Sequence, residues 1–598
     1  MGKRRKKITR SSSSDQSIVA FDTETNGLYR YQGHRPFGYS ICNEEGNSSW
    51  HRLAKIGKDR GNLMSRLLEN RVCVGHNMKF DLGMVRAVNP NLDIHKLQFH
   101  DTMIQAHVLQ NDFVDRKLKR LAWELAGVAR DDEKEVKAFV KEGGDYSMVP
   151  DEVMEKYAAC DAERTMLLHL FFWPKIQENK HWLDSYNQEI KLIPVTLDME
   201  DRGVMLNVKK TKQMRDKLLD DAETCLDELE YIAGERLNPA SPDQLQHLLF
   251  NIGELPILER TEKSKQPKTS KDVLESLKEK FPDNETLDLV MQYRSWKKGA
   301  ATFQRYLNMM DSDGVIHPNI NTCAARTGRE SCSDPNLQNV QKDSALLNPY
   351  PVPERSVFRP RPGYVWVAVD YSGIELRLLV HYSRDEELID CINVNGDPHA
   401  LAAELFYGKE WRKADKDRKK LLRSASKNAN FSIPYGANGP KVAAALGKKT
   451  SDGKRILKEY QSRWPGLAFF NRSAAHTVRE KGYVETTFGR RLYVPRDKAY
   501  IGANYLIQGT AAEVLKRAQI NAWNYCQTAS GGEVYPLLPI HDEIIFEYPR
   551  KRLSDLRDFM EGLSAVMTDF PIFSVPMNVE AEIMTASWNK KKELKFDD

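Results

Sequence analysis

The apolar run in SIVAFDTETNGL (17–28) passes directly into acids, which predicts a buried strand with charge at its end. Over 60–180, helical periodicity alternates with short strand-like runs, the pattern of an α/β domain. From about 187 to 300 the chain turns helical and charge-rich, as in KQMRDKLLDDAETCLDELEYIAG, and predicts long solvent-facing helices. A basic, breaker-bearing loop, EKSKQPKTSKD (262–272), interrupts them. Strand character returns at YVWVAVDYS (364–372), helices fill most of 385–530, and YPLLPIHDEIIFEYP (535–549) predicts an apolar hairpin. No internal repeat is visible.

Composition changes this picture little. At 598 residues the chain exceeds what one core can hold, so roughly two to four domains are expected. The net charge of +5 is a weak signal at this length, and placement matters more. Residues 409–427 hold nine Lys/Arg against three acids, either a solvated helix face or a surface for an anion. The eight cysteines form no C-x-x-C and no zinc spacing with histidine, which fits free thiols in a reducing compartment. No long apolar run or signal-peptide pattern occurs, so a soluble, non-secreted, cytoplasmic protein without membrane contact is expected. Residues 1–16, basic and then serine-rich, read as a disordered tail, a nucleic-acid arm or a targeting signal.

Two groups of residues carry chemistry. In FDTETN, Asp22 and Glu24 lie two apart on a predicted strand and share a face. VGHNMKFDLGM presents Asp81 after a strand-like run, and YAACDAERTMLLH sets Tyr157 and Asp161 at i and i+4 on one helix face. Four converging carboxylates repel unless divalent cations neutralise them, and hard oxygen donors suit Mg²⁺ or Mn²⁺. In the second group Asp370 ends a buried-strand run, while His541, Asp542 and Glu543 gather at the hairpin turn. Between them in sequence, Arg423, Lys427, Phe431 and Tyr435 recur every four residues. A spacing of four drifts by only ~40° per step, so these side chains share one broad helix face. Such a face can meet a triphosphate with its cations, and a base and sugar with its rings. Pro434 predicts a kink or early end that re-aims Tyr435.

The blocks FDTET, HNMKFD and YAACD resemble the proofreading 3′→5′ exonuclease of family A DNA polymerases, the DEDD type with a tyrosine in its third motif. The R-x3-K-x3-F-x3-Y-G helix is similar to that family's fingers helix. TGRESCSDPNLQN, GYVETTFGRRLYVP, NYLIQGTAAEVLK and VPMNVEAEIMTASW look like its other motifs, in order. The resemblance implies an RNase H-like exonuclease domain over 17–186, then a right-hand polymerase domain over 187–598. Within the latter it implies a thumb at about 200–325, a palm at about 326–384 and 505–598, and fingers at about 385–504. No 5′-nuclease domain is expected ahead of the exonuclease, and no large processivity insertion in the thumb.

By the same resemblance, Asp22, Glu24, Asp81 and Asp161 hold two metal ions and Tyr157 orients the attacking water, with Asn77 and Phe80 near the single-stranded 3′ end. Asp370, Asp542 and the Tyr371 carbonyl hold two Mg²⁺ (Mn²⁺ able to substitute), with Glu543 in support. Lys427 protonates departing pyrophosphate, and Arg423 and His399 grip the triphosphate. Glu375 is the steric gate against a ribose, Phe431 disfavours dideoxynucleotides, Arg329 and Gln508 probe the minor groove, and His541 positions the primer terminus. Gly373, Tyr500 and the NFSIPYG segment depart from the family pattern.

The implied partners are primer–template DNA and dNTPs, with helicase, primase or single-strand-binding protein as further candidates, for a monomeric phage replicative enzyme. An organellar or bacterial repair polymerase, a single-subunit RNA polymerase and a non-catalytic relic stay open. Glu375 and the complete set of exonuclease acids speak against the RNA polymerase.

Overall fold

The computed structural model describes residues 17–53, 59–113, 115–128, 133–141, 145–341, 349–433 and 436–594. The predicted N-terminal tail lies outside them, as do Pro434 and Tyr435.

The first part is built on a mixed sheet. Strands β1 (Ile18–Thr25), β2 (Pro36–Asn43), β3 (Ser48–Arg52), β4 (Val72–Gly75) and β5 (Phe99–Asp101) lie in the order β3-β2-β1-β4-β5. The first three run antiparallel as a meander, and β4 and β5 add in parallel through helical crossovers. Helix α1 (Met78–Val88) follows β4, α3 (Asp151–Gln177) packs over the sheet, and α2 (Leu118–Ala126) packs on α3. Buried Val19, Phe21, Met78, Leu82 and Ile193 form its core.

Helix α4 (Lys180–Arg202) then crosses to the second part. The boundary expected between residues 186 and 187 falls inside this continuous helix. Two long helices follow, α5 (Val208–Ala233) and α6 (Glu285–Met309), packed against each other. Each begins at an asparagine whose side chain accepts a first-turn N–H, Asn207 from Lys210 and Asn284 from Leu287. The predicted loop at 262–272 lies between them as turns and a single bridge up to residue 270, and its last two residues, Lys271 and Asp272, already open a further helix.

The second sheet is wholly antiparallel. Its strands are β6 (Tyr364–Tyr371), β7 (Tyr535–Ile540), β8 (Glu543–Pro549), β9 (Val579–Met584) and β10 (Lys591–Leu594), in the order β7-β8-β6-β9-β10. Central β6 is buried on both faces, as its unbroken apolar run predicts. Helix α7 (Ile374–Ser383) follows β6 in the chain and packs with α10 (Gly502–Ser530), which also covers β7, while α8 (Pro398–Tyr407) and α9 (Lys416–Ser432) pack against each other. The basic stretch 409–427 is not one helix. It breaks at Ala414, and Asp415 caps α9 by accepting the Arg418 N–H at 2.8 Å.

A buried ionic network joins the two parts. Glu189 on α4 pairs with Arg490 and, at 2.6 Å, with Lys516 on α10, while Arg490 also meets Glu513 at 3.4 Å. Burial pushes the Glu189 carboxyl up, but Lys516 and Arg490 outweigh it and hold it down at about 2.

Candidate active sites

In the first part, Asp22 and Glu24 sit on β1, Asp81 in the first turn of α1, and Tyr157 and Asp161 on α3. Asp81 follows the strand β4, as the sequence suggests, and it stands with Phe80 in the first turn of the helix that Asn77 starts. Asn77 adopts φ 68° as the residue that starts α1, and Asp101 accepts the N–H groups of Asn77 (3.3 Å) and Met78 (2.8 Å). That turn brings Asp81 back over β1, where it accepts the Thr23 N–H at 2.9 Å and hydroxyl at 2.6 Å.

The five residues are electrostatically one group. Burial pushes Asp22 well above the carboxylate range, and Asp81, Glu24 and Asp161 add to it. Burial and the Asp161 charge push Glu24 up to about 8. Burial likewise raises Asp81 to about 7, eased by the Thr23 hydrogen bonds. Burial and then the Glu24, Asp161 and Asp22 charges raise the Tyr157 phenol. Asp22, Glu24 and Asp81 are short of counter-charge, which is the condition a bound divalent cation relieves, and the donor set is all hard oxygen. The residues therefore fit a hard divalent cation. Among the described residues, no three acidic, histidine or cysteine side chains are already closed into a metal cage.

A cation missed in the sequence supplies part of the charge. Lys119 on α2 lies 3.3 Å from Asp161 and 2.9 Å from Glu133, with its Nζ 4.2 Å from the Tyr157 ring centroid. Arg164 holds the other Asp161 oxygen at 2.8 Å. Nothing in the spacing of KLKRL distinguishes this lysine from a solvated one. Asn77 and Phe80 line a cavity that also takes in Leu28 and Tyr29, and Asn319 and Asp334 from the second part.

In the second part, strand register sets the geometry. Asp370 stands opposite Glu543 on β8 and Glu580 on β9. The hairpin turns through His541, at φ 56°, and Asp542, whose carbonyl accepts the Tyr371 N–H at 3.1 Å. Asp370 and Asp542 are thus backbone neighbours whose side chains line different cavities. Asp542 shares one with Arg329, Glu330, Glu375 and His541. Asp370 shares the other with Glu543, Glu580, Glu582 and Lys591. Burial raises the Asp542 carboxyl, Glu375 adds to it, and His541 and Arg329 oppose it. Hard carboxylate oxygens short of counter-charge again fit a divalent cation.

Glu375 lies in the first turn of α7 and is ion-paired with Arg329. Gly373 begins that helix at φ 64°, a conformation that a side chain strains. Gln508 is half-buried on α10, one turn before Ala511 and Ala512 of the Asp542 cavity. Glu330, also unforeseen, is pushed up to about 7 by burial.

The predicted helix face exists as α9. Arg423 pairs with Asp397, and the Lys427 ammonium stands 5.9 Å from the Phe431 ring centroid. Phe431 is 5.4 Å from the His399 ring, whose Nδ1 accepts from the Asn430 amide at 3.3 Å. Burial lowers His399 to about 4, which Asp397 opposes and Arg423 and Lys427 reinforce. Arg423, Lys427, His399 and Phe431 therefore form one cluster. The kink predicted at Pro434, and Tyr435 with it, lie outside the described residues.

A family model for DNA polymerase family A matches residues 208–590, and one for a 3′-5′ exonuclease matches residues 6–177. The chain belongs to DNA polymerase family A. Over 605 aligned residues it is 29% identical to DNA polymerase I of Pseudomonas aeruginosa, covering 96% of this chain and 64% of that protein. It is 31% identical over 451 residues to the thermostable DNA polymerase I of Thermus aquaticus, covering 72% of this chain and 52% of that one. The chain thus spans between about half and two thirds of these family A relatives. Its fold is similar to the POL domain of Pol1 from M. smegmatis, solved in complex with DNA primer-template and dNTP. The TM-score is 0.77 at 23% identity, with 96% of both chains covered. An exonuclease domain followed by a family A polymerase domain is therefore the architecture of this chain. No described helix is long and apolar enough to cross a membrane.

Proposed function

We propose that the chain is a template-directed DNA polymerase that proofreads with its own 3′→5′ exonuclease. The observation that carries the reading is the pairing of two carboxylate centres in one chain, each inside the matching family region. Mg²⁺, or Mn²⁺ in its place, would be held by Asp22, Glu24, Asp81 and Asp161 at one centre, and by Asp370, Asp542 and the Tyr371 carbonyl at the other. When bound, such ions supply Lewis acidity and charge neutralisation for phosphoryl transfer.

The protein's own residues do the rest. Arg423 exchanges Asp397 for the triphosphate, with His399 beside it, and Lys427 hands a proton to the departing pyrophosphate. Phe431 and Tyr435 take the base and sugar. Glu375, fixed by Arg329, fills the space that a ribose 2′-hydroxyl needs. Arg329 and Gln508 read minor-groove acceptors and His541 sets the primer terminus. At the nuclease centre Tyr157 orients the attacking water, while Asn77 and Phe80 receive the frayed 3′ end. Thumb, palm and fingers follow at about 200–325, 326–384 with 505–598, and 385–504. The enzyme works as a monomer on primer–template DNA in a phage-infected host cytoplasm, with helicase, primase or single-strand-binding protein as partners.

Primer extension with dNTPs and with rNTPs, on the parent, Asp370→Ala and Asp22→Ala chains, tests the reading. Extension with dNTPs alone, lost in Asp370→Ala, and primer shortening, lost in Asp22→Ala, are expected. Extension that persists in Asp370→Ala sinks the site assignment, and equal use of rNTPs turns the reading towards an RNA polymerase.

A further inference from the structure

The strand β10 begins at Lys591, one residue past the family A match at 208–590. It pairs with the outer side of β9, Met584 opposite Lys591 and Glu582 opposite Glu593, and becomes an edge of the Asp370 sheet. Register then fixes which side chains share a face. Opposed residues and every second residue along a strand point the same way. Glu543, Asp370 and Glu580 form one row, Ala368 and Glu582 the next, and Trp366, Met584 and Lys591 the one after.

Across this acidic face Lys591 reaches Glu582 at 2.7 Å and, past two intervening strands, Glu543 at 2.8 Å. The Glu543 oxygen not held by Lys591 is buried and has no hydrogen-bond partner among the described residues. Arg355, in the same cavity, is engaged elsewhere. It lies 4.8 Å from the Trp588 ring and donates to the Val340 carbonyl at 3.3 Å. The orientation of the Glu543 carboxylate therefore depends on Lys591.

We infer that Lys591 is a positioning residue of the polymerase centre. It ties the Glu543 carboxylate back along the sheet face, and so limits how many acids beside Asp370 are available to a divalent cation. The inference rests on the polymerase reading for its consequence, although its geometry does not. Removing the ammonium releases two carboxylates next to Asp370, which raises the local negative charge and tightens cation binding.

The test compares the parent, Lys591→Met, Lys591→Arg, Glu543→Gln and the Lys591→Met/Glu543→Gln double variant, all on an Asp22→Ala background that disables the other centre. Mn²⁺ binding to the DNA-free protein is read by electron paramagnetic resonance, and thermal melts check that each variant is folded. Lys591→Met is expected to bind Mn²⁺ tighter, on the order of fivefold, with Lys591→Arg near the parent. On Glu543→Gln, the further change Lys591→Met should add little. In primer extension, the Mg²⁺ concentration for half-maximal rate should fall in step, more than the dNTP KM changes. A folded Lys591→Met with parental Mn²⁺ affinity, or an equal shift on the Glu543→Gln background, overturns the inference. If no variant including the parent extends a primer, the polymerase reading fails, and the Mn²⁺ titration still decides the role of Lys591.

Discussion

Glu24 is held by burial and by Asp161 at about 8 instead of its ordinary 4.5, so near neutral pH the folded chain keeps a proton there that the unfolded chain gives up. Between those two values the native state binds more protons than the unfolded one, and stability falls as pH rises, by at most about 1.4 kcal/mol per pH unit from this group. The melting temperature of the metal-free protein is therefore expected to drop as pH is raised through this window. Glu24→Gln should flatten the drop and melt higher at its upper end. Mg²⁺ should abolish it and release protons, seen with a pH indicator in weak buffer. Parallel melting curves for parent and Glu24→Gln count against the strain. Each of the four acids behind it was legible from its motif, because a strand or helix period fixes which face a carboxylate shares. Lys119 was not, since its reach to Asp161 depends on how α2 lies against α3 and leaves no period in the sequence. Lys591 was hidden for the same reason.

At the scale of elements, α8 and α9 meet through one carboxylate with two duties. Asp397 caps α8 by accepting the His399 N–H at 2.9 Å, and its second oxygen takes the Arg423 guanidinium. Asparagine keeps the capping acceptor and removes the charge. Asp397→Asn is therefore expected to lower the dNTP KM by up to about fivefold with kcat little changed, because Arg423 no longer leaves an ion pair to meet the triphosphate. Asp397→Ala also loses the cap, which costs about 1 kcal/mol of stability and separates the two duties in a denaturant titration. A rise in KM for Asp397→Asn would mean that the pair aims Arg423 rather than competing for it. The α9 face, the β6 run and the β7–β8 hairpin were readable because each carries its own local pattern, a spacing of four, an unbroken apolar run and two apolar runs about a turn. Strand β10 was not, for its sequence KKEL looks like solvated polar chain, and β9, whose VEAEIM alternates apolar and polar positions, is too short a run to name its partner. Strand β9 pairs with β6, some two hundred residues away, and β10 is a strand only by pairing with β9.

On the scale of the whole molecule, α4 decides whether the two parts unfold together. Glu189, Arg490, Lys516 and Glu513 are all buried, and the two Glu189 pairs connect segments about three hundred residues apart, which no local pattern announces. A buried carboxylate beside two cations adds little net stability over an apolar replacement, but removing it alone takes the paired carboxylate from Lys516 and leaves Arg490 with Glu513 only. Glu189→Ala is thus expected to cost about 3–5 kcal/mol. The loss should not be confined to one part, because Glu189 sits on the helix that packs with the nuclease core through Tyr186 and Ile193 while its partners belong to the polymerase core. Its contribution follows pH in the opposite sense to that of Glu24. A group held at about 2 stabilises the fold above its ordinary value of 4.5, and that stabilisation drains away as pH falls towards 2. Urea unfolding of Glu189→Ala, followed by primer shortening and by primer extension, should move both midpoints down together. If the nuclease midpoint stays at the parental value while the polymerase midpoint falls, the helix is a linker and not a shared beam. A boundary near residue 186 would then describe two independent folding units, despite the unbroken helix that runs across it.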